Sequence, residues 1–345
     1  MKLAEEARKA DEERVWPAAS WKILQAIGAC GWTVPKVHGG EELGGVELLE
    51  RYESLAEACL TSAFLLSQRD AAVRRLRDHG NESLCRELLP ALATGERFAT
   101  VGLAQLTTSR QHGQPAVTAR DQNDSFIIDG TIPWVTGAPR AEHIVMGAVT
   151  KGAGQILAVL PTDLPGVTVG RPLELMALEG SITAEVRCEQ VRLPRKWLLA
   201  GPAERVMQTG KGGTGGLETS CLALGLADAA IAQLRREAEL RSDLWADVER
   251  LDKSRQHLVQ EMHQLAAGSA QAVAPQFLRA RVNTLVLQAT QATLTACKGT
   301  GFLRSHPAQR WARQALFFLV WSCPWPVAAA TMQYLTGTEP ENCVL

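Results

Sequence analysis

Apolar residues recur at a helical period over roughly the first hundred positions of the chain. From Trp21 to Ile27 they return every few residues, as the buried face of a helix requires. The pattern therefore predicts an N-terminal helical domain over 1–97. Within it, the same spacing predicts further helices over 48–59, 62–78 and 82–92.

The period changes near Phe98. Short runs rich in β-branched residues, separated by Gly, Pro, Asp and Asn, replace the helical pattern up to about residue 200. Such a succession predicts a small β-barrel over 98–200. Asp129-Gly130 is a tight-turn dipeptide inside it, and we expect one strand to reverse there.

Helical spacing returns after Pro194 and predicts a C-terminal four-helix bundle over 201–345. The glycine-rich stretch 210–216 lacks the ending of a phosphate-binding loop, so we interpret it as a flexible helix entry. The predicted fold class is α+β and mostly helical, with an N-terminal helical domain, a middle small β-barrel and the C-terminal bundle. The longest predicted helices of the bundle are 217–240, 248–267 and 275–297.

The segment 130–138 carries the most suggestive chemistry of the barrel region. Trp134 and Thr136 are two residues apart, so on an extended strand both side chains point to the same face. One broad apolar plane beside one hydroxyl suits a flat heteroaromatic ring that needs stacking and a hydrogen bond at its edge. A strand end with a core tryptophan is the alternative interpretation.

Composition and charge exclude several function classes. The chain has 36 Lys and Arg against 37 Asp and Glu, so its balance indicates neither nucleic acid nor an anionic membrane as a partner. No apolar run reaches membrane-spanning length, and the charged start of the chain lacks the apolar core of a signal peptide. We therefore expect a cytoplasmic protein without a membrane span.

The cysteines and histidines do not indicate a metal site. The eight cysteines are scattered, and no two form a Cys-x-x-Cys pair. The seven histidines show no ligand spacing either. We expect reduced thiols and no bound metal.

Several short motifs follow one another in an order that extends over nearly the whole chain. Their sequence resembles the acyl-CoA dehydrogenase superfamily of flavoproteins, in which a helical domain, a small β-barrel and a helical bundle follow in this order. The motifs that carry the resemblance are 31–40 with its Pro and Gly-Gly, Leu106-Thr107, 129–138 with Trp-Val-Thr, 181–194 with Ser-Ile-Thr and Leu-Pro, and 298–302 with Gly-Thr-Gly-Phe.

The resemblance implies an FAD cofactor and assigns residues to it. Trp134 and Thr136 would pack against the flavin, while Thr107 and the backbone of Leu106 would contact its pyrimidine edge. Arg241 falls where the family places an arginine that pairs with the FAD diphosphate of a neighbouring subunit, a geometry that suits a guanidinium. Additional candidates are the backbone N–H groups of Gly299 and Gly301, which either approach an anion or end a helix.

The resemblance also raises a question about the catalytic base, because family chemistry needs a carboxylate to remove an α proton. The position that usually carries this Glu falls on Ser322, and a serine without an activating partner is no base at neutral pH. Glu218 lies in an apolar run near the alternative base position of the family, which makes it our candidate base. Equally, an N-terminal Glu on a helix is favoured by the helix dipole alone.

The predicted function is FAD-dependent α,β-dehydrogenation of an acyl thioester carried by CoA or by a carrier protein. Two alternatives stay open: a flavin-dependent monooxygenase of the same superfamily, which the serine at position 322 favours, and a non-catalytic flavin-binding homologue. The resemblance further implies a homodimer or homotetramer. Its partners would be electron-transferring flavoprotein as electron acceptor, or a reductase that supplies reduced flavin.

Overall fold

Helices form the first and last parts of the described chain, and β-strands form its middle. The computed structural model describes residues 2–79, 81–107, 115–152, 154–208, 217–269 and 274–337. In these ranges the order of helices, strands and helices is the predicted one, and the predicted α+β, mostly helical class is confirmed. The prediction made on the glycine-rich stretch 210–216 lies outside the described residues.

Five α-helices lie among the described residues of the N-terminal region. The fourth is almost wholly buried, because apolar residues occupy more than one of its faces. The fifth begins after Asn81, whose side chain accepts a hydrogen bond from the backbone N–H of Leu84 and so caps the helix. The bounds are α1 Lys2–Glu12, α2 Ala18–Ala26, α3 Gly45–Ala58, α4 Leu60–Asp78 and α5 Glu82–Ala93.

The strands form a single sheet with the order β6-β7-β3-β2-β4-β5-β8, and β1 pairs with β4. Among the described residues no pairing joins β6 to β8, so the predicted barrel appears as an eight-stranded sheet rather than a ring of paired strands. The inward side chains of β4 and β5 are fully buried and supply much of the core between sheet and helices. The bounds are β1 Ala99–Gly102, β2 Val117–Gln122, β3 Ser125–Val135, β4 His143–Thr150, β5 Gln155–Pro161, β6 Val167–Val169, β7 Ala184–Pro194 and β8 Leu198–Ala203.

The expected reversal at Asp129-Gly130 was wrong. Strand β3 continues through both residues, and its pairing with β7 shifts register there, as in a β-bulge. Gly130 has φ of 124° and lies so close to the neighbouring strand that a Cβ atom would be 2.1 Å from the carbonyl oxygen of Ala116. The chain reverses earlier, at Asn123-Asp124, between the paired residues that end β2 and begin β3. The dipeptide therefore marks a bulge within the strand that leads to Trp134.

The C-terminal helices pack as a bundle around α9. This helix contacts α7, α8, α11 and α12, while α7 also packs on α3 of the N-terminal region. Helix α7 begins and ends at the predicted residues. It is long and apolar enough to cross a membrane, yet 72% of its apolar window is buried within the protein, as in a core helix. The bounds are α7 Leu217–Leu240, α8 Trp245–Ala266, α9 Pro275–Ala296, α10 Lys298–Gly301, α11 Pro307–Phe317 and α12 Trp325–Thr336, with a single helical turn, α6 Ala104–Thr107, in the sheet region.

Candidate functional site

A cavity of about 900 Å³ lies where the sheet meets the helices of both ends of the chain. Its walls come from α4, the end of β1, the end of β3, the start of α7 and the segment that follows α11. Cavities that bind cofactors and substrates typically measure about 300–1,000 Å³ and carry mainly apolar linings with a few polar groups. This cavity has both properties.

Trp134 and Thr136 both line the cavity, as their spacing predicted. The indole of Trp134 is 55% exposed, while Thr136 is buried at 6% exposure. Trp134 is thus not a core tryptophan, and the alternative interpretation of this segment is excluded. A broad ring and a hydroxyl together face an open space.

The hydroxyl of Thr136 belongs to a short chain of hydroxyl groups. Thr183 Oγ1 is 3.5 Å from Thr136 Oγ1 and 2.9 Å from Ser181 Oγ. All three side chains are buried, and both threonines line the cavity. Because a hydroxyl both donates and accepts, this chain can orient one O–H toward a ligand edge.

Leu106 does not line the cavity. Its side chain packs under β4, where a Cβ atom on Gly147 would be 2.1 Å from Leu106 Cδ1. Leu103 and Ala104 take the position on the cavity wall instead, because β1 ends at Gly102 and the chain turns into α6. The side chain of Thr107 lies outside the described ones, so its contact with a pyrimidine edge stays a prediction.

Glu218 also lines the cavity, at the first turn of α7. It is the only carboxylate among the described lining residues, and its Oε1 lies 3.3 Å from Nη2 of Arg74 on α4. Burial alone lowers the pKa of Arg74, but Glu218, Tyr52 and Asp70 together raise it above its ordinary value. The carboxylate predicted to lie in an apolar run therefore has a buried cation beside it.

Tyr52 and Asp70 extend this ion pair into the N-terminal helices. The hydroxyl of Tyr52 donates to Asp70 Oδ2 at 2.5 Å, and Arg69 donates to the other oxygen of Asp70. Burial, followed by the charge of Asp70, raises the pKa of Tyr52 well above its ordinary value. The charged groups behind Glu218 are thus held in one buried, connected set.

Ser322 lines the cavity in a turn between α11 and α12. Its φ of 45° is unusual for a residue with a side chain. The preceding Trp321 stacks on Phe317, with ring centroids 5.1 Å apart, and Phe64 of α4 packs against both rings edge-on. The serine thus borders an aromatic wall of the cavity.

Arg279 of α9 holds this turn from behind. It is 3% exposed and donates to the carbonyl oxygen of Trp321 at 3.2 Å and to Oδ1 of Asn283 at 2.9 Å. No carboxylate lies within ion-pair distance among the described residues, and burial lowers the pKa of Arg279 to about 9. No motif marked this residue, because its role depends on a contact between α9 and a distant turn.

The residues predicted for the diphosphate end lie in another part of the molecule. Arg241 donates to the carbonyl oxygen of Ala296 at 2.6 Å and pairs with Glu237 at 3.0 Å, so it lies beside the start of α10. Gly299 is exposed with open space around it. Gly301 is buried, and a Cβ atom there would lie 2.6 Å from Cys297 Cβ. The structure thus joins Arg241 to the 299–301 segment and separates both from the cavity lining.

The flavin end of the site fits the implied cofactor. An exposed indole and two buried hydroxyls face a cavity large enough for a fused-ring ligand, and the lining between them is mainly apolar. The diphosphate end offers Arg241, whose guanidinium has donors beyond the two bonds that it makes within the chain. The residues present therefore suit FAD, and Trp134, Thr136 and Thr183 are those that would hold its ring.

Comparisons with known proteins agree with this geometry. The family models for the acyl-CoA dehydrogenase N-terminal and middle domains match residues 1–96 and 103–191. The probable acyl-CoA dehydrogenase YngJ of Bacillus subtilis is 29% identical over 238 residues, which span 66% of this chain and 62% of that protein. The human mitochondrial short-chain specific acyl-CoA dehydrogenase is 24% identical over 333 residues, or 90% of this chain and 80% of the human protein.

A solved structure shares the fold over nearly the full length. Butyryl-CoA dehydrogenase from Megasphaera elsdenii superposes with a TM-score of 0.82 at 19% identity, over 97% of this chain and 94% of that one. The two family models together match more than half of the present chain. This chain therefore belongs to the acyl-CoA dehydrogenase superfamily.

Proposed function

We propose that the protein is an FAD-dependent oxidoreductase that removes hydrogen from the α and β carbons of an acyl thioester, carried by CoA or by a carrier protein. One observation carries the proposal: Trp134, Thr136 and Glu218 line a single cavity of about 900 Å³. A ring-stacking surface, a hydrogen-bonding hydroxyl and a carboxylate are the groups that this reaction requires from the protein.

Each of these residues has a defined task in the proposed reaction. Trp134 and Thr136 hold and orient the flavin ring, the first by stacking and the second by a hydrogen bond to its edge. When bound, FAD supplies the acceptor for the hydride that leaves the β carbon. Arg241 is proposed to bind the diphosphate of an FAD held mainly by a second subunit.

Glu218 is the proposed base. Its carboxylate oxygen lies 3.3 Å from the guanidinium of Arg74, and a carboxylate is the group that accepts the α proton in this reaction. The side chain of Glu218 is 14% exposed, so the carboxylate is only partly solvated, and its ion-pair partner among the described residues is Arg74. Ser322 has no such role, although it occupies the position where the family usually carries the Glu.

The decisive experiment is anaerobic reduction of the bound flavin by an acyl-CoA. Glu218→Gln keeps the size and hydrogen-bonding capacity of the side chain but cannot accept the proton, and we expect flavin bleaching to slow by at least about a hundredfold. Glu239→Gln, an exposed site on the same helix, is the matched control and should bleach at the wild-type rate. Unchanged bleaching in Glu218→Gln would remove this residue from the mechanism.

A flavin-dependent monooxygenase is the second candidate function. The observation that favours it is the serine at position 322, together with the engagement of the only described cavity carboxylate by Arg74. Such an enzyme needs reduced flavin from a partner reductase. Product that forms only with oxygen and supplied reduced flavin supports this alternative, whereas anaerobic bleaching by acyl-CoA supports the dehydrogenase. Protein that takes up no FAD would support neither.

We also propose that the protein assembles as a homodimer or homotetramer. Exposed apolar side chains occur in both segments that meet at the hydrogen bond between Arg241 and Ala296, and exposed apolar surface of this kind is typical of interfaces. The exposed side chains are Leu240, Trp245, Phe302 and Leu303.

For the dehydrogenase, electron-transferring flavoprotein is the proposed electron acceptor.

A further inference from the structure

Helix α4 presents one continuous stripe of side chains to the cavity, and the character of this stripe changes along its length. It begins with the aromatic Phe64 and ends with two cations, Arg74 and Arg75. At 1.5 Å per residue, the two ends of the stripe are about 16 Å apart along the helix axis. The cavity therefore has an aromatic region and a cationic region. Between the ends the stripe consists of Ser67, Gln68 and Ala71.

The cationic region is not electrically balanced. Arg74 has Glu218 as its partner, but no carboxylate lies within ion-pair distance of Arg75 among the described residues. The nearest acid along the helix, Asp78, pairs with Arg77 at 2.8 Å. In this region two arginines thus face the cavity and only Arg74 has an ion-pair partner among the described residues, while Asp78, engaged with Arg77, acts on Arg75 only through its charge at longer range.

A nitrogen of Arg74 is also left without a partner. Its Nη1 is buried and has no hydrogen-bond acceptor among the described residues. Burial lowers the pKa of Arg75; the charge of Asp78 opposes this effect and the adjacent charge of Arg74 adds to it, although an arginine stays protonated at any physiological pH. An unpaired, partly desolvated cation is costly, and proteins usually compensate it with an anion. The anion that this region lacks is therefore expected from a ligand.

We propose that the acyl group of the substrate carries a second carboxylate, at its end away from the thioester, and that Arg75 binds it inside the cavity. This inference rests on the proposed acyl thioester substrate. A guanidinium binds a carboxylate through two parallel hydrogen bonds, and a single carboxylate charge matches the single excess positive charge.

The choice of a carboxylate on the acyl group, rather than a phosphate of the carrier, follows from the surroundings. The described lining contains no lysine and only one further arginine, Arg313, which is engaged with Asp11. Most other lining side chains are apolar. A doubly charged phosphate or a diphosphate would need more cations than this region offers.

The test measures binding with unreactive thioether analogues of CoA. The pair of probes is S-(4-carboxybutyl)-CoA and S-pentyl-CoA, which differ in the terminal carboxylate, titrated by calorimetry into the flavin-loaded protein. We expect the carboxylated probe to bind at least about tenfold more tightly to the wild type, and Arg75→Gln to abolish this preference. Arg77→Gln is the matched control, because this neighbouring arginine does not line the cavity, and it should keep the preference.

A second pair of probes distinguishes whether Arg75 binds an anion of the acyl group or of the carrier. The same pair of S-alkyl groups on pantetheine, which lacks the nucleotide phosphates, should show the same preference. If Arg75→Gln weakens both CoA probes equally and neither pantetheine probe, the arginine binds the carrier and the proposal is overturned. Equal binding of both CoA probes to the wild type would also overturn it.

A folding defect and a failure of the proposed reaction give different results. Arg75→Lys keeps a positive charge, so it should keep part of the preference, and thermal unfolding of each variant shows whether the fold is intact. If the carboxylated probe binds more tightly but no acyl-CoA bleaches the flavin, the reaction is wrong and the inference about the anion stands. If acyl-CoA bleaches the flavin but the protein shows no preference for the carboxylated probe, the proposed reaction stands and the inference about the anion is wrong.

Discussion

The carboxylate of Asp11 accepts a hydrogen bond from Arg313, which lies 302 positions later in the chain. Asp11 is fully buried in α1, and its other oxygen accepts from Gln314 and from the backbone N–H of Leu178. Arg313 and Leu178 both line the cavity. The first helix therefore fixes two parts of the cavity wall through one side chain. The residues that follow Arg313 in the sequence are Gln314 and Ala315, so its carboxylate partner comes from α1 and not from its own helix.

Replacing this carboxylate should destabilise the protein. Asp11→Asn leaves Arg313 without its counter-charge, and we expect the free energy of unfolding to fall by about 2–4 kcal/mol, less than for a fully buried pair because Arg313 is partly exposed. Urea unfolding measures the loss. Glu5→Gln, an exposed site on the same helix, should change it by less than about 0.5 kcal/mol. Equal stability of the two variants would contradict a structural role for Asp11.

The turn at Ser322 should depend on Arg279. Arg279→Met removes the donor to the carbonyl of Trp321 and leaves buried acceptors unsatisfied, which costs about 1–3 kcal/mol for each group. We expect lower stability and weaker binding of any ligand that contacts the turn, measured by urea unfolding and ligand titration. Arg281→Gln, on the same helix but paired with Glu261 nearer the surface, should have the smaller effect on ligand binding. If both variants bind ligand equally well, Arg279 does not position the turn.

Stability should fall in mildly acidic solution because of His143. Burial lowers the pKa of this imidazole, which packs against Trp197. The unfolded chain then binds the proton more readily than the folded one. The contribution of His143 to the free energy of unfolding is therefore complete above a pH of about 6.5, and it is lost as the pH falls from there through the lower pKa of the folded state. Thermal unfolding between pH 5 and 8 checks the slope. His143→Gln cannot titrate, and a wild-type slope that persists in this variant would assign it to other groups.

Trp134 should contribute to flavin affinity and little to folding. Its indole is 55% exposed, so Trp134→Ala removes few core contacts. Loss of a stacked ring is expected to weaken FAD binding by about tenfold, since aromatic pairs contribute about 0.5–1.5 kcal/mol beyond their buried area. Fluorescence titration of the apoprotein with FAD gives the affinity. Trp325→Ala, an exposed tryptophan outside the cavity lining, should bind FAD as the wild type does.

The exposed apolar residues after α10 should stabilise the proposed assembly. Phe302→Glu places a charge on a side chain that is 79% exposed in the single chain, so the monomer should fold normally while a subunit interface there would be disrupted. Sedimentation velocity would show a smaller species than for the wild type. Val37→Glu, at an equally exposed site far along the chain, controls for added charge. An unchanged sedimentation coefficient for Phe302→Glu would place any interface elsewhere.

The periodicity of apolar residues along the chain was sufficient to predict much of the architecture. The bounds of α7 were predicted without error, and α8 and α9 to within a few residues, because long helices with repeated apolar positions are determined by local spacing. The shared face of Trp134 and Thr136 follows equally from the two-residue repeat of a strand. What these predictions have in common is that the deciding residues are close together in sequence.

The remaining features were determined by packing between residues that are distant in sequence. Gly130 lies in a bulge rather than a turn, and the backbone of Ala116, just before β2, passes too close to it for any Cβ atom. A dipeptide preference carries no information about that neighbour. The partners of Glu218 and Asp11 come from distant helices, so no local pattern predicts them. Ion pairs and cavity walls join residues far apart in the chain, and only the folded arrangement of the helices brings their charges together.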